Sequence, residues 1–208
     1  MRSVPVRLAK QRGVSLFFAL VSLVAISLAA IVLVRSVDTS TLISGNLAFQ
    51  QSATASGDAG TEAAIAWLAQ KEADNTAYNV LTDPVHPFNI TNAADGYYSS
   101  LDPDKSLTAS TGFAWNTTDS KLVGTDSSGN TIRYIIQRMC RNFDLPVKDA
   151  GCLYSGAILD TNGQNIPLPQ EVCKGAGCPV AGQTPQVRIT SRTEGPKNTL
   201  SYVQAFVY

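Results

Sequence analysis

Four cysteines are the residues of this sequence whose chemistry is easiest to specify: Cys140, Cys152, Cys173 and Cys178. Their spacing fits no compact zinc pattern, in which ligands come as closely spaced pairs, so disulfides are favoured. Four cysteines allow three pairings, and the sequence does not decide among them. Proximity favours Cys140–Cys152 and Cys173–Cys178. Each bridge would constrain a loop, typically by about 2–4 kcal/mol.

The other groups that could do chemistry are isolated along the chain. His86 is the one histidine, lies between Val85 and Pro87, and is expected on a surface loop. A hydrolytic triad would need it beside a nucleophile, and no G-x-S-x-G run is present. The carboxylates in 102–104 and 160–163 could ligate calcium, but turn chemistry explains them better. We therefore predict no catalytic residue, no metal and no cofactor, in a protein that is not an enzyme.

Charge is distributed unevenly along the chain. The 16 basic and 16 acidic residues give a net charge of zero. The first thirteen residues contain no acidic residue but four basic ones: Arg2, Arg7, Lys10 and Arg12. The remainder is mildly acidic, which argues against nucleic acid as a direct partner, because phosphate contacts need a basic surface.

The segment 14–34 is an uncharged run of 21 residues. Roughly 20 apolar residues are enough for a helix to span the hydrocarbon core of a bilayer. The basic flank before it predicts a cytoplasmic N-terminus and a body on the opposite side of the membrane. The alternative is a cleaved secretory signal with a small-residue site at 27–30, but the apolar run continues beyond that site to Val34.

The residues 11–16, QRGVSL, place a glycine between a basic leader and a long apolar segment. This pattern resembles the class III signal of type IV prepilins, which a prepilin peptidase cuts after the glycine before the new N-terminus is methylated. The resemblance implies that 1–13 is a leader, that cleavage falls between Gly13 and Val14, and that Val14 begins the mature chain. The apolar segment would be retained, first in lipid and then in a filament core.

One position departs from the pattern of that family. Most pilins carry Glu at the fifth mature position, where its carboxylate is thought to pair with a neighbouring N-terminal amine; here the residue is Phe18. A buried charge without a partner is costly, so a subunit without this Glu suits a place that requires no such pair. Phe18 therefore favours a tip or initiating subunit, and the alternative is an anchor that never enters a filament.

The next stretch narrows the resemblance. Residues 35–70, especially 44–50 (SGNLAFQ) and the run ending in Trp67 and Leu68, are similar to the N-terminal domain of PilX-type minor pilins. Residues 187–208 resemble the same group loosely. The implied partners are other minor pilins, the major pilin, a large tip adhesin, prepilin peptidase and the inner-membrane assembly platform. The implied locations are the inner membrane, with the C-terminal body in the oxidising periplasm where disulfides form, and the pilus tip.

The predicted fold is α+β and type IV pilin-like, with a long N-terminal helix packed on a small antiparallel sheet. We expect five segments: a leader at 1–13, a transmembrane or filament-core helix at 14–34, an amphipathic half-helix at 35–70, a loop-rich region at 71–130, and a sheet domain with disulfides at 131–208. Three glycines each weaken the helix by about 1 kcal/mol relative to Ala, so two helices meeting near Gly57 are the alternative.

Strands are predicted by β-branched and aromatic content and by alternation. They cover 131–140, 186–192 and 200–207, with a hairpin turn at 126–130 and a short strand or hydrophobic plug at 113–115.

The function predicted is that of a minor pilin, which joins others in a tip complex that primes pilus assembly and supports adhesion and twitching motility. The alternatives are a type II secretion minor pseudopilin and a membrane-anchored periplasmic binding module unrelated to pili.

Overall fold

Helix α1 is the first element of the structure and runs from Val14 to Asp74. The computed structural model describes residues 14–105 and 113–208. The expected leader, 1–13 with Gly13 at its end, lies outside the described residues. The helix ends at Asp74 rather than at the predicted Gln70, and Lys71 in its last turn is well placed to interact with the negative end of the helix dipole.

The chain divides into two compact units, the first ending at Ala48 and the second comprising Phe49–Tyr208. In the first unit every described side chain as far as Ser44 is exposed. This part of α1 is long and apolar enough to cross a membrane. The hydroxyl of Ser27 donates to the carbonyl of Leu23 at 2.8 Å, so this polar group is satisfied within the helix itself.

In the second unit, α1 packs on the sheet through a stripe of small residues. Ala53, Gly57, Gly60 and Ala64 are its buried positions, and their spacing of three or four residues puts them on one helix face. A Cβ atom on Gly57 would lie 2.6 Å from Cγ2 of Val203. The helix continues through Gly57 rather than breaking there. Glycine occupies this position because the helix lies too close to the sheet to leave room for a side chain.

Seven strands follow α1 in the described part of the chain: β1 (Tyr97–Tyr98), β2 (Lys121–Thr125), β3 (Thr131–Arg138), β4 (Tyr154–Ser155), β5 (Thr184–Pro185), β6 (Val187–Gly195) and β7 (Thr199–Val207). The main sheet has the order β1-β3-β6-β7, and β2 also pairs with β3. Strands β2, β3, β6 and β7 are antiparallel neighbours, whereas β1 is parallel to β3. Strands β4 and β5 form a separate pair. The short helix α2 spans Val147–Ala150.

The α+β, pilin-like fold predicted from the sequence is confirmed, and its details differ in three places. Strands β1 and β2 begin the sheet inside the region predicted to be loop-rich. Strand β3 ends at Arg138 rather than at Cys140. Residues 113–115 form no strand; instead the rings of Phe113 and Trp115 pack edge to face, with centroids 5.1 Å apart.

The core of the second unit lies between α1 and the main sheet. Its buried members are Ala64, Tyr97, Tyr134, Ile136 and Ile189. The ring of Trp67 stacks on that of Tyr97 at 5.3 Å, which joins α1 to β1. A second cluster of Leu81, Val147 and Cys173 lies under the loops near α2.

Candidate functional site

The apolar first part of α1 is the candidate site for anchoring and assembly. Val14 is the first described residue of α1, and 62% of it is exposed. Phe18 is 64% exposed and lies edge to face with Phe17, with ring centroids 6.3 Å apart. Such a surface offers dispersion contacts and no charge, so it can dissolve in lipid or pack against similar helices.

No acidic residue lies in the first turn of α1. The side chain at the fifth position after Gly13 is therefore a fully apolar ring where the resemblance would place a carboxylate. This segment can contribute packing to an assembly, but it cannot neutralise an amine through Phe18.

A polar network ties α1 to the β2–β3 hairpin in the second unit. The carboxylate of Asp126 accepts a hydrogen bond from the hydroxyl of Ser56 at 2.5 Å and one from Nδ2 of Asn130 at 2.9 Å. Its other oxygen accepts from the backbone N–H groups of Ser128 and Asn130. These bonds, with that from Ser56 the strongest, lower the pKa of Asp126 to about 2. The hairpin turn predicted at 126–130 is confirmed, and this network fixes it against the helix.

Arg138 organises the loops at the other end of the sheet, and only 2% of it is exposed. Its Nε donates to the carbonyl of Ser99 at 2.9 Å, Nη1 to Oδ1 of Asn89, and Nη2 to the carbonyl of Leu145 at 2.8 Å. All three acceptors are uncharged, and burial lowers the pKa of the guanidinium. One residue of β3 thus holds three separate loop segments.

His86 is buried, and the expectation of a surface loop residue is wrong. Only 1% of it is exposed, and its Nδ1 accepts a hydrogen bond from the N–H of Phe88 at 3.1 Å. It caps the 3₁₀ helix Pro87–Asn89. Burial lowers the pKa of its imidazole, and its role is to fix this turn beside Arg138.

The cysteines pair as Cys140–Cys152 and Cys173–Cys178. The first bridge joins the segment after β3 to the segment before β4. The second belongs to the cluster under the loops, where Cys173 packs with Leu81 and Val147. The first bridge fastens the segment before β4 to the end of β3, and the second closes a short segment within the loop between β4 and β5, so each constrains a loop.

The two carboxylate clusters form turns through their own backbone. Oδ1 of Asp160 accepts from the N–H groups of Asn162 at 2.8 Å and Gln164 at 2.7 Å. Oδ1 of Asp102 accepts from the N–H of Asp104 at 2.9 Å. Within 14–105 and 113–208, no three His, Cys, Asp or Glu side chains are grouped as metal ligands would be.

The predicted site residues fall in different units. Val14 and Phe18 belong to the first unit, and the four cysteines, in two bonded pairs, belong to the second. Gly13 lies outside the described residues. Arg138 and Asp126, which hold the loops and the hairpin in place, carried no signal in the sequence beyond their membership of a strand and a turn.

Comparisons of the chain with protein-family models, with curated proteins and with solved structures found no match.

Proposed function

We propose that this chain is a minor pilin of the PilX type, a membrane-anchored subunit that joins other minor pilins in a tip complex priming type IV pilus assembly. The observation that carries the proposal is the arrangement at Val14. Helix α1 is described from Val14, the residue after Gly13; it stays apolar and exposed for 21 residues and goes on to pack against an antiparallel sheet. A cleaved secretory signal has no need of such continuity.

Charge and disulfides support the proposed location. The basic residues before Val14 favour a cytoplasmic N-terminus. The two disulfides of the second unit favour an oxidising compartment for the body. We place the subunit in the inner membrane, with its body in the periplasm, and in the pilus tip once assembled.

The proposed role is structural, in adhesion and twitching motility, and not enzymatic. Two buried polar side chains of the second unit, His86 and Arg138, are bonded to backbone and amide groups that hold loops. The proposed partners are other minor pilins, the major pilin, a large tip adhesin, prepilin peptidase and the inner-membrane assembly platform.

Mass spectrometry of the mature N-terminus is the direct test. We expect a chain that begins with methylated Val14. Gly13→Asp should leave the leader attached, whereas Gln11→Asp, which adds the same charge two residues earlier, should still be processed. A mature chain that starts beyond Ala30, or one that keeps its leader in the wild type, would contradict the proposal.

Sheared pili then separate a fibre subunit from a membrane-bound assembly factor. If the subunit works at the tip, each purified fibre should contain only a small amount of it, and that amount should not increase with the length of the fibre. Its complete retention in the membrane fraction would argue for an anchor that never enters the fibre.

A further inference from the structure

The outer edge of β7 has no partner strand in 14–105 or 113–208, although β7 pairs with β6 along its whole length. The strand is nine residues long and reads TLSYVQAFV, without a charge, proline or glycine. Proteins usually protect free sheet edges with charged residues, proline or bulges, because the unpaired backbone groups would otherwise bind another strand. None of these devices protects β7.

The side chains of β7 divide between the two faces of the sheet. Ser201 and Val203 face α1, since the hydroxyl of Ser201 lies 3.0 Å from that of Thr54 and Val203 meets Gly57. By alternation Val207 shares that face. Leu200, Tyr202 and Phe206 lie on the opposite face, and they are 44%, 39% and 56% exposed. Gln204 shares that exposed face, and the ring of Trp115 packs on Tyr202 with centroids 5.9 Å apart. Apart from Gln204 there, and Thr199 and Ser201 on the α1 face, the side chains of this edge are apolar.

A cavity of about 420 Å³ opens on the α1 side at the end of this edge. Its lining includes Ile65, Leu68 and Ala69 of α1, Phe88, and Val187 and Val207 of the sheet. Arg138 and Glu72 also line it; Arg138 donates to the uncharged oxygens described above, and Glu72 is an exposed residue of α1. A strand lying beside β7 would place one of its side chains, opposite Val207, at this cavity.

We propose that the free edge of β7 is a docking site for an extended segment of another protein, which adds a strand to the sheet and inserts one large apolar side chain into this cavity. Backbone hydrogen bonds would supply affinity, and the cavity would supply specificity. The chemistry of the edge calls for an uncharged segment with a leucine, methionine or phenylalanine at the inserted position. This inference rests on the edge and the cavity, and it holds whether or not the chain is a pilin.

A second copy of this chain fits the site less well. In a fully overlapping antiparallel pair of β7 strands, Thr199 would lie opposite Val207 and Ser201 opposite Ala205. Both side chains are small and polar, so neither fills an apolar cavity of this size. A foreign segment with a larger apolar residue is the better occupant.

Phage display tests the proposal: random nonapeptides are selected for binding to the full-length protein in phospholipid nanodiscs. We expect enrichment of uncharged peptides with a large apolar residue at one fixed position. In a synthetic copy of the most enriched peptide, serine at that position should weaken binding about tenfold or more. Hydrogen exchange should show new protection of β7 amides when the peptide binds.

Two matched variants locate the bound side chain. Ala69→Trp fills the cavity from α1 and should weaken peptide binding about tenfold. Ala66→Trp adds the same ring at an exposed position of α1 that does not line the cavity, and should leave binding unchanged. Lack of enrichment, equal binding to Ala69→Trp, unprotected β7 amides, or a β7-paired dimer that excludes the peptide would each overturn the proposal. The N-terminus of the mature chain is read independently, so the two proposals fail separately.

Discussion

Arg138 is a buried cation whose acceptors, Ser99, Asn89 and Leu145, come from three different segments of the chain. Burying a guanidinium without a carboxylate at bonding distance is costly, so its stabilising contribution depends on all three bonds being made together. The arrangement favours one conformation of these loops over alternatives. Each acceptor belongs to a different turn, and no local pattern in the strand sequence could have revealed the set.

Asp126 and His86 show what a local pattern can and cannot reveal. A run of Asp, Ser, Gly and Asn predicts a turn because these side chains bond their own backbone, and the turn at 126–130 follows that rule. His86 lies in an equally polar stretch, yet it is buried, with the ring of Phe88 5.1 Å from its own and its turn bonded through Asn89 to Arg138 of β3. Burial of that kind depends on long-range contacts and leaves no trace in neighbouring residues.

The pKa of Asp126 makes stability dependent on pH in acid. Because folding lowers this pKa from 3.8 to about 2, its contribution is complete above about pH 4 and disappears as the pH falls through about 2. Asp126→Asn should flatten the decline of the unfolding temperature across that interval. Ser56→Ala removes the strongest bond to Asp126, so it should raise the pKa of Asp126 in the folded protein and narrow the pH interval over which stability declines. Ser52→Ala removes only an acceptor of Asn130 and should leave that interval unchanged. A variant Asp126→Asn with the wild-type acid profile would contradict this assignment.

At the scale of elements, α1 and strands β3, β6 and β7 follow from strong local signals. The apolar run predicts the first part of α1, and alternation predicts the strands, since one face of the sheet must meet the helix. Strand β1, of two residues and parallel to β3, has too short a pattern to predict. The glycines of α1 read locally as helix breakers, but Gly57 and Gly60 are the residues that let the helix approach the sheet.

Gly60→Ala tests this approach. A Cβ atom there would overlap Oγ of Ser191 and lie 2.9 Å from Cγ2 of Ile132. Overpacking costs about 1–3 kcal/mol, whereas replacing glycine by alanine in a helix gains about 1 kcal/mol. The cost is the larger of the two, so chemical unfolding should show a net loss of stability. Gly45→Ala meets no atom within 4 Å and should cause no loss. Ser191→Gly should restore part of the stability of Gly60→Ala, and an unchanged or more stable Gly60→Ala would refute the packing argument.

The whole molecule combines an exposed apolar helix segment, long enough to cross a membrane, with a second unit that has its own core. Their combination was predictable, because a long uncharged run followed by alternating strands leaves few other folds. The absence of a carboxylate at Phe18 distinguishes this chain from the subunits it resembles, and its proposed place at the tip follows from that difference.

Phe18→Glu tests the place of the subunit in the fibre. If the wild-type subunit occupies a position with no earlier amine to neutralise, a carboxylate at 18 is buried without a partner and fewer pili should be counted by electron microscopy. Phe17→Glu adds the same charge one position away. Its pilus count shows how much of the loss of pili comes from a negative charge in this segment rather than from a carboxylate at position 18. Unchanged or increased piliation in Phe18→Glu would count against a tip position.

The disulfides have a mechanical consequence if the molecule is pulled from its two ends. Their cysteines are separated by 12 and 5 residues in the sequence, and an extended chain spans about 3.5 Å per residue. Each bridge still spans its own Cα–Cα distance, 3.8 and 5.8 Å. Once its sheet has been unfolded, the oxidised protein would therefore lengthen by about 50 Å less than the reduced protein. Cross-linking of this kind keeps a tethered body short under tension, even after its hydrogen bonds have given way.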